Sequence, residues 1–322
     1  MKLSFILIAH NVKKHIAQSL AAIQEAAADL TTARVCDCEI IVVDSASGDG
    51  SAEAAKAAVP SARLIRNTCD KGFAAAANAG IHAASGDMLC FVDPETAPEP
   101  GAVRRLLEYM ETNTSCGIAG GRIIDQKGFT LRGARRLPGC VSKAISALGI
   151  PCRCTGSTSQ PQEVKAVNLA FTCVRRTLLD SLGPLDERFA GGYADYDLCR
   201  RARKALNPKW KVAFVPQAAV RVLDRFAMRP EPQAFSLYGE SVVRKRIRSE
   251  QLYFWKHFCA GTVLVFALAD MAAHGVRYVY NAIPRLGSAD MRAYHYAVIR
   301  QTAHAMLDTQ LGTQYPATPW DR

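Results

Sequence analysis

The sequence predicts an α/β fold, in which a doubly wound and mostly parallel sheet is followed by a helical segment. Residues 1–120 alternate short β-branched runs with alanine-rich stretches of helical periodicity, a pattern typical of parallel strands joined by crossover helices. From about residue 226 the pattern becomes helical and basic. We therefore expect a sheet domain over residues 1–225 and a helical tail over residues 226–322.

The order of the elements follows from hydrophobic periodicity and from the turn residues between them. The predicted strands are Leu3–Ala9, Glu39–Asp44, Arg63–Arg66, Met88–Val92 and Gly117–Ala119. The predicted helices are Val12–Leu30, Ser51–Ala58, Phe73–Ala84 and Pro100–Met110. After them we expect a lid or acceptor loop over 131–163 around a helix Val141–Leu148, ordered chain over Val164–Val174, a helix from Tyr196 and a strand Lys211–Val215.

The composition is that of a folded cytoplasmic protein. The chain has 322 residues, of which 49% are hydrophobic and 21% charged, and it has no low-complexity tract. Its 11 cysteines are scattered and follow no secretion signal, so we expect free thiols in a reducing compartment. The short apolar run Leu3–Ala9 is followed at once by His10 and Lys13, which fits a first strand better than a signal peptide.

The formal net charge of +11 is concentrated in the later part of the chain. Residues 131–220 carry a net +9 and residues 221–322 a net +5, whereas residues 1–130 are slightly acidic. A basic surface of this kind suits nucleic acid, anionic lipid or a phosphorylated substrate. Because no helix-turn-helix, zinc-finger or aromatic RNA-binding signature accompanies it, we expect no nucleic-acid partner.

Polar side chains follow several predicted strands at the points where the strands end. His10 and Asn11 follow the first strand, Asp44 ends the second, Asn67 follows the third and Asp93 the fourth. Ligands of doubly wound sheets bind beyond the carboxyl ends of the strands. The glycine pattern G-x-G-x-x-G is absent after the first strand, which argues against a dinucleotide cofactor.

The segment Phe91–Thr96 carries two carboxylates separated by a proline. In an extended segment residues i and i+2 point the same way, so Asp93 and Glu95 can face one pocket. Two hard oxygen donors suit Mg²⁺ or Mn²⁺ bound to a diphosphate. The alternative is an ordinary acidic turn with Pro94 at its second position.

Short segments in a fixed order resemble glycosyltransferase family 2, in its rhamnosyltransferase-like branch. They are residues 40–51 (IIVVDSASGDGS), 70–80 (DKGFAAAANAG), 91–96 (FVDPET), 185–189 (LDERF) and 194–199 (ADYDLC). The resemblance implies a GT-A fold, which is Rossmann-like, and inverting transfer of a sugar from a nucleotide diphosphate sugar to an acceptor hydroxyl. It also implies a role in bacterial surface polysaccharide or glycolipid synthesis.

The resemblance implies roles for individual residues. Asp195 would be the catalytic base, and Asp93 with Glu95 would hold the metal. The expected donor contacts are His10, Asn11, Asp44, Ser47, Lys71, Gly72, Asn78 and Asp93. The expected acceptor or phosphate contacts are Arg136, Asn168, Asp197 and Arg221. Solvated surface charges are the alternative for the arginines, which include the pairs Arg135 with Arg136 and Arg175 with Arg176, and a helix-terminal acid is the alternative for Asp197.

The chain departs from the family pattern at three positions. Ala194 stands where the family has glutamate, Val222 and Leu223 where it often has histidine, and Leu169 where a glycine is common. These departures favour an alternative function, that of a degenerate relative which binds nucleotide or a partner without turnover. The four carboxylates Asp44, Asp93, Glu95 and Asp195 favour an active enzyme.

The tail combines basic residues 244–248 with aromatic residues 253–258. Such combinations recur where proteins rest on anionic bilayers, so we expect peripheral association with the cytoplasmic face of the inner membrane. The acceptor would then be polyprenyl-diphosphate-linked, or another glycan. The apolar stretch Phe258–Ala269 is too short to span a bilayer, and the alternative is a buried helix whose aromatic residues cover a core.

Overall fold

The computed structural model describes residues 1–140, 159–224, 239–283 and 287–311, together with positions 232, 235, 236, 313 and 314. The predicted helix Val141–Leu148 and Arg225 lie outside these described residues. The described chain divides into two compact units. The first contains residues 1–137, 159–187 and 194–224, and the second contains residues 138–140, 188–193 and the described positions from 232 onward.

Ten strands of the described residues form one mixed sheet in the first unit. The strands are β1 (Lys2–Ala9), β2 (Asp37–Ser45), β3 (Arg63–Asn67), β4 (Met88–Val92), β5 (Thr96–Pro98), β6 (Cys116–Ile124), β7 (Thr130–Arg132), β8 (Gln162–Glu163), β9 (Phe171–Arg175) and β10 (Lys211–Val222). The helices are α1 (Lys13–Thr32), α2 (Ser51–Ala58), α3 (Phe73–Ala83), α4 (Ala102–Thr112), α5 (Arg176–Leu182) and α6 (Ala194–Lys204). The predicted α/β class is confirmed.

The strand order is β3-β2-β1-β4-β9-β6-β10-β5, with β7 beside β6 and β8 beside β10. The first four strands in this order are parallel, and their register sets Ala9 opposite Asp44 and Asp44 opposite Arg66. The residues that end β1 and β2 therefore lie side by side. Helix α3 packs closely on this half, since a Cβ at Gly80 would lie only 2.6 Å from Ile6 Cγ2.

Antiparallel strands complete the sheet. Strand β9 lies between β4 and β6 and is antiparallel to both, whereas β10 is parallel to β6. Strand β10 was predicted to end at Val215, but it continues to Val222. Pro216 lies where the pairing register shifts between Val215 and Ala219, a position at which a strand tolerates proline. The continuation brings Val222 opposite Thr96, next to the Asp93 turn.

Two buried thiols face each other in the sheet interior. Cys90 of β4 lies opposite Cys173 of β9, and both are free and fully buried. The interaction with the Cys173 thiol, together with burial, raises the pKa of Cys90 well above its usual range. All cysteines within the described residues are free.

The second unit contains helices α7 (Glu240–His257), α8 (Ala260–Ala282) and α9 (Ala289–Asp308). Its core includes Val243, Ile247, Tyr294, Val298 and Ala305. Aromatic residues predicted to rest on a bilayer belong to this interior instead, because Tyr253 is 0% and Phe254 is 2% exposed. For these two residues the alternative of a buried helix describes the structure.

Helix α8 is longer than the apolar stretch seen in the sequence. It continues through Asp270 to Ala282, a length of 23 residues with a mean hydropathy of 1.3 in its most apolar window. Most of the apolar stretch Phe258–Ala269, which alone is too short to span a bilayer, thus belongs to a longer helix that continues past Asp270. By length and composition α8 alone among the described helices could cross a membrane, a test that core helices of soluble proteins also pass.

Candidate donor and catalytic site

The loops after β1 and β2 are joined by hydrogen bonds. The Asn11 N–H donates to Ser47 Oγ at 3.0 Å, and Asn11 Oδ1 accepts the Gly48 N–H at 2.9 Å. The His10 ring Nδ1 lies 2.8 Å from the Ser45 carbonyl oxygen, which fixes the ring beside the same loop. Asn11 has a φ of 53°, a conformation that asparagine tolerates better than most residues. His10, Asn11 and Ser47 thus form one surface.

The turn that contains Asp49 connects the N-termini of α1 and α2. Asp49 accepts the Lys13 N–H at 2.9 Å, the Ser51 N–H at 2.9 Å and the Ser51 hydroxyl. The Val12 N–H donates to Ser51 Oγ at 2.9 Å. Burial opposes ionisation of Asp49, but the bonds from Ser51 and from the two backbone N–H groups outweigh it and lower the Asp49 pKa. This charge is therefore structural.

Asp44 is a buried carboxylate at the carboxyl end of β2. It is 4% exposed, and its Oδ2 accepts the Ser47 N–H at 3.2 Å. Its Oδ1 is buried and finds no hydrogen-bond partner among the described residues. An unsatisfied buried acceptor costs about 1–3 kcal/mol. A ligand that donates an N–H or O–H to Oδ1 would remove that cost.

Residues 70–72 lie beside the same loop. Asp70 Oδ1 accepts the Ser45 hydroxyl at 3.1 Å and the Gly72 N–H at 2.9 Å. Gly72 has a φ of 86°, which a residue with a side chain rarely adopts. Lys71 is exposed between them, so its ammonium group is available to a ligand that reaches Asp44.

Asp93 and Glu95 form a tight turn. Asp93 Oδ1 accepts the Glu95 N–H at 2.9 Å, and the Asp93 carbonyl accepts the Thr96 N–H at 2.9 Å. The Leu223 N–H donates to the Glu95 carbonyl at 2.9 Å. The acidic turn considered from the sequence is thus present. A turn of this kind still leaves carboxylate lone pairs for a cation, since each oxygen has two.

A metal site made only of protein is not present in the described part of the chain. No three histidine, cysteine, aspartate or glutamate side chains there converge in a way that would hold a metal ion. Mg²⁺ usually takes one or two carboxylates and completes its shell with phosphate oxygens and water. Two neighbouring carboxylates such as Asp93 and Glu95 are compatible with that donor set.

Asp195 lies in the first turn of α6 with both oxygens hydrogen-bonded. Its Oδ2 lies 2.6 Å from Arg135 Nη1, and its Oδ1 accepts the Tyr196 N–H at 2.8 Å. The Arg135 guanidinium lies over the Tyr196 ring, 4.5 Å from the centroid. The Asp195 side chain is 14% exposed, so one edge reaches solvent. Of the arginine pair in the predicted lid, Arg135 contacts Asp195, whereas Arg136 is exposed.

Asp197 belongs to the fold rather than to the acceptor surface. Its side chain is 0% exposed and accepts a hydrogen bond from Arg201 Nε at 2.8 Å. The Arg201 guanidinium also donates to the carbonyls of residues 182–184. This burial and the pair with Arg201 do not support the expected acceptor contact from Asp197. Breaking such a buried pair is costly, which explains the acidic residue without a ligand.

Arg221 also binds protein groups. Its Nε donates to Glu99 at 2.8 Å, and its Nη1 donates to the carbonyls of Asp125 at 3.1 Å and Gln126 at 3.0 Å. These bonds hold β10 against the turn after β6. The structure therefore does not support a diphosphate contact from Arg221.

The remaining predicted acceptor-side residues have local partners. Asn168 Oδ1 accepts the Ala170 N–H at 2.8 Å, which leaves its amide nitrogen for other contacts. Arg175 donates to the carbonyls of Cys116 and Met110, and Arg176 donates to those of Gly86 and Ala84. The pair Arg175 and Arg176 thus joins neighbouring elements instead of forming a rim for phosphate.

Asn78, expected to contact the donor, bonds within the protein. Its Nδ2 donates to the Leu185 carbonyl at 2.8 Å and to Glu187 Oε1 at 2.9 Å, and its Oδ1 accepts the Leu185 N–H at 3.0 Å. Its side chain is buried. Asn78 therefore fixes the segment that precedes α6 to helix α3.

Asp224 follows Val222 and Leu223, the positions where the family often has a histidine. It lies 2.9 Å from Lys14 Nζ and 3.5 Å from His15 Nε2. These contacts join the end of β10 to the first turn of α1.

Comparison with known proteins identifies the family. The sequence model of glycosyl transferase family 2 matches residues 4–171, which is more than half of the chain. The chain belongs to glycosyl transferase family 2. The resemblance predicted from short segments is thereby confirmed, and the chain is a glycosyltransferase.

Curated relatives carry corresponding names. The chain is 27% identical over 215 residues to an N-acetylglucosaminyl-diphospho-decaprenol L-rhamnosyltransferase of Mycobacterium tuberculosis, covering 60% of this chain and 69% of the relative. It is 27% identical over 202 residues to the putative glycosyltransferase EpsE of Bacillus subtilis, covering 61% of this chain and 70% of the relative. The rhamnosyltransferase likeness expected from the sequence is confirmed.

Solved structures confirm the GT-A fold. The mannosyltransferase PcManGT from Pyrobaculum calidifontis, solved with GDP-Man and Mn²⁺, has a TM-score of 0.52 at 15% identity over 97% of this chain and 82% of that chain. GalNAc-T7, solved with UDP, GalNAc and Mn²⁺, has a TM-score of 0.55 at 13% identity over 98% of this chain and 58% of that chain.

Replacement of Asn78 distinguishes an internal role from a donor contact. We expect Asn78→Ala to lower the free energy of unfolding by at least about 2 kcal/mol, because Leu185 N–H and C=O lose their partner. Nucleotide affinity of the folded variant should stay within about twofold. Denaturant unfolding and calorimetric titration measure the two quantities, with His82→Ala, an exposed position on the same helix, as control. Unchanged stability with lost affinity would contradict this role.

Proposed function

We propose that this glycosyltransferase moves a sugar, with inversion, from a nucleotide diphosphate sugar to an acceptor hydroxyl in bacterial surface polysaccharide or glycolipid synthesis. The observation that carries the proposal is the buried Asp44 Oδ1, which has no partner among the described residues. A nucleobase N–H or a ribose hydroxyl would supply the missing donor. The surface formed by His10, Asn11 and Ser47 adjoins Asp44 through the loop after β2.

Asp93 and Glu95 hold Mg²⁺ or Mn²⁺ in this proposal. Both comparison structures were solved with Mn²⁺ and a nucleotide. A bound divalent cation would neutralise charge on the departing diphosphate. Lys71 is exposed next to Asp70, whose carboxylate bonds to Ser45, and would add a positive charge near the phosphates.

Asp195 acts as general base. Its carboxylate takes the proton of the acceptor hydroxyl, and the oxygen forms a bond to the anomeric carbon from the side opposite the leaving group. The bond from that carbon to the diphosphate oxygen breaks, and its electron pair leaves with the nucleoside diphosphate. Attack from the opposite side inverts the anomeric configuration.

The second candidate function is nucleotide binding without turnover. Ala194 and Val222 favour it, because both replace polar residues of the family pattern and both are buried, at 3% and 2% exposure. Asp195 favours the enzyme, since it keeps a solvent-reaching edge in the first turn of α6. Product formation by the wild-type chain decides between the two.

We further propose that the acceptor is linked to a polyprenyl diphosphate at the cytoplasmic face of the inner membrane. The Mycobacterium tuberculosis relative is named for an acceptor of this kind. On α8, Val265, Leu268, Val276 and Val279 are 57–72% exposed. Their spacing of three, eight and three residues, together with exposed Ala272 in the middle, makes an uncharged stripe along one helix face.

The charged and polar residues of α8 do not interrupt this stripe. His274 faces α9, where its Nδ1 lies 3.0 Å from His295 Nδ1. Asp270 and Arg277 repeat with His274 at intervals of four and three, which places them on that side of the helix. A continuous exposed apolar face on a basic tail suits an anionic bilayer.

Removal of the metal-binding carboxylates tests the donor site. We expect UDP or dTDP with Mn²⁺ to raise the unfolding temperature of the wild-type chain, because a ligand of the native state stabilises it. Asp93→Asn and Glu95→Gln should each reduce this shift, since amides bind hard cations less well than carboxylates. Glu111→Gln, an exposed acid on α4, is the control. If the shift in unfolding temperature depends neither on Mn²⁺ nor on these substitutions, the nucleotide site lies elsewhere.

Replacement of Asp195 tests the chemistry. Asp195→Asn keeps the shape of the side chain but cannot accept the proton, so we expect kcat to fall at least ~10²-fold. Transfer assays with nucleotide sugars and a polyprenyl-diphosphate-linked acceptor measure kcat, and NMR of the product reports the anomeric configuration. Asp180→Asn, exposed in the same unit, should keep full activity. Near wild-type turnover by Asp195→Asn would exclude this base.

Charges placed on the α8 stripe test membrane association. We expect the full chain to co-sediment with vesicles containing phosphatidylglycerol, and the double variant Val276→Asp with Val279→Asp to remain in solution, because burying two carboxylates in the bilayer is unfavourable. Leu206→Asp, at a residue 87% exposed in the first unit, is the matched control. If both variants sediment like the wild type, the stripe does not bind lipid, and analytical ultracentrifugation would then show whether it joins two copies.

A further inference from the structure

The pair formed by Arg135 and Asp195 has a consequence for the reaction. The distance of 2.6 Å between Arg135 Nη1 and Asp195 Oδ2 is that of a strong charge-assisted hydrogen bond. The other oxygen, Oδ1, accepts the Tyr196 N–H. In this arrangement the Arg135 guanidinium competes with an acceptor hydroxyl for Asp195 Oδ2.

Arg135 is held so that only its side chain needs to move. Its backbone exchanges two hydrogen bonds with Ala166, at 2.8 and 3.1 Å. Its guanidinium rests over the Tyr196 ring, a modest cation–π contact, which a stronger ionic contact can outweigh. The Arg135 side chain is 23% exposed, so a ligand in solvent can reach it without unfolding the segment.

The planar fork of a guanidinium matches the oxygens of a phosphate better than it matches one carboxylate oxygen. A diphosphate that arrives beside Asp195 therefore competes for Arg135. We propose that Arg135 is a positioning residue which occupies Asp195 in the resting enzyme and exchanges it for the diphosphate of a bound substrate. The base then becomes available only when that substrate is in place, and hydrolysis of the donor by water is suppressed.

The proposal rests on Asp195 as the base, and it names a diphosphate ester as the ligand. The diphosphate belongs either to the acceptor or to the donor. Transfer to a polyprenyl-diphosphate-linked acceptor and transfer to the same sugar as a simple uncharged glycoside separate the two sources. We expect Arg135→Gln to raise KM at least ~10-fold for the diphosphate acceptor, as loss of a charge-assisted hydrogen bond requires. KM for the uncharged glycoside should not rise.

Further variants separate positioning from a structural role. Arg135→Lys keeps the charge but not the fork, so it should recover part of the lost affinity for the diphosphate acceptor. Lys165→Gln, an exposed charge beside Ala166, should leave both acceptors unaffected. A donor source of the diphosphate would appear as a raised donor KM with both acceptors. Equal losses in kcat for both acceptors, with every KM unchanged, would overturn the proposal.

A binding experiment tests the exchange without turnover. Inorganic pyrophosphate is titrated calorimetrically, without divalent cation, into the wild type, Arg135→Gln, Asp195→Asn and the double variant. We expect Arg135→Gln to weaken binding at least ~10-fold and Asp195→Asn to strengthen it, because Asp195 competes for the guanidinium. In the Arg135→Gln background, Asp195→Asn should have little effect on pyrophosphate affinity. A double-mutant cycle of the two changes measures this coupling.

Different results contradict the exchange of Arg135 and the proposed transferase function. If Asp195 merely repels anions, its replacement strengthens pyrophosphate binding equally in both backgrounds, and the exchange is overturned. If the wild type binds pyrophosphate through Arg135 with the expected coupling but transfers no sugar, the exchange stands and the proposed transferase activity fails. If Asp195→Asn keeps full turnover, the base assignment fails whatever the coupling.

Discussion

The parallel pairing of β1 with β2 decides where the polar residues of this chain can act. The middle residues of both strands, 5–7 and 41–43, are buried and apolar, so the charged groups lie toward the strand ends, and the register sets Ala9 level with Asp44. The loops that follow are short and bind each other through Asn11 and Ser47. The position of a ligand surface at this edge is therefore set by the geometry of the sheet, and individual side chains determine which groups it can bind.

The same reasoning explains why much of the fold could be predicted from the sequence. Buried parallel strands are continuous apolar runs, and the residues that end them differ sharply in polarity, as at Asp44 and Asp93. Alanine-rich helices such as α2 and α3 begin at glycine-containing turns that are visible in the sequence. The continuation of β10 beyond Val215 was harder to predict, because a proline such as Pro216 usually marks the end of a strand and the register shift around it is not visible in the sequence.

The functional assignment of single polar residues was less predictable. A sequence gives the identity of Asp197, Arg221 and Asn78 but not their burial or the distance to their partners. Asn78 and Arg221 bond to groups far along the chain, and Asp197 is fully buried beside Arg201, four residues away. Asp195 and Asp197 are two residues apart, yet one keeps an exposed edge and the other is fully buried. Helical geometry alone does not decide which of two nearby acids faces a neighbour. The burial of Tyr253 and Phe254 was hard to predict for the same reason, since membrane-surface helices and buried helices can share a composition.

The buried thiols Cys90 and Cys173 can report on the opening of the sheet. Both are fully buried, and the pKa of Cys90 is raised well above its usual range, so a reagent in solvent cannot reach them while the strands stay paired. Cys259, at the start of α8, is exposed, and a hydrogen bond from Thr262 lowers its pKa. Cys259 is therefore open to alkylation in the folded protein, whereas alkylation of the strand pair reports opening of the sheet.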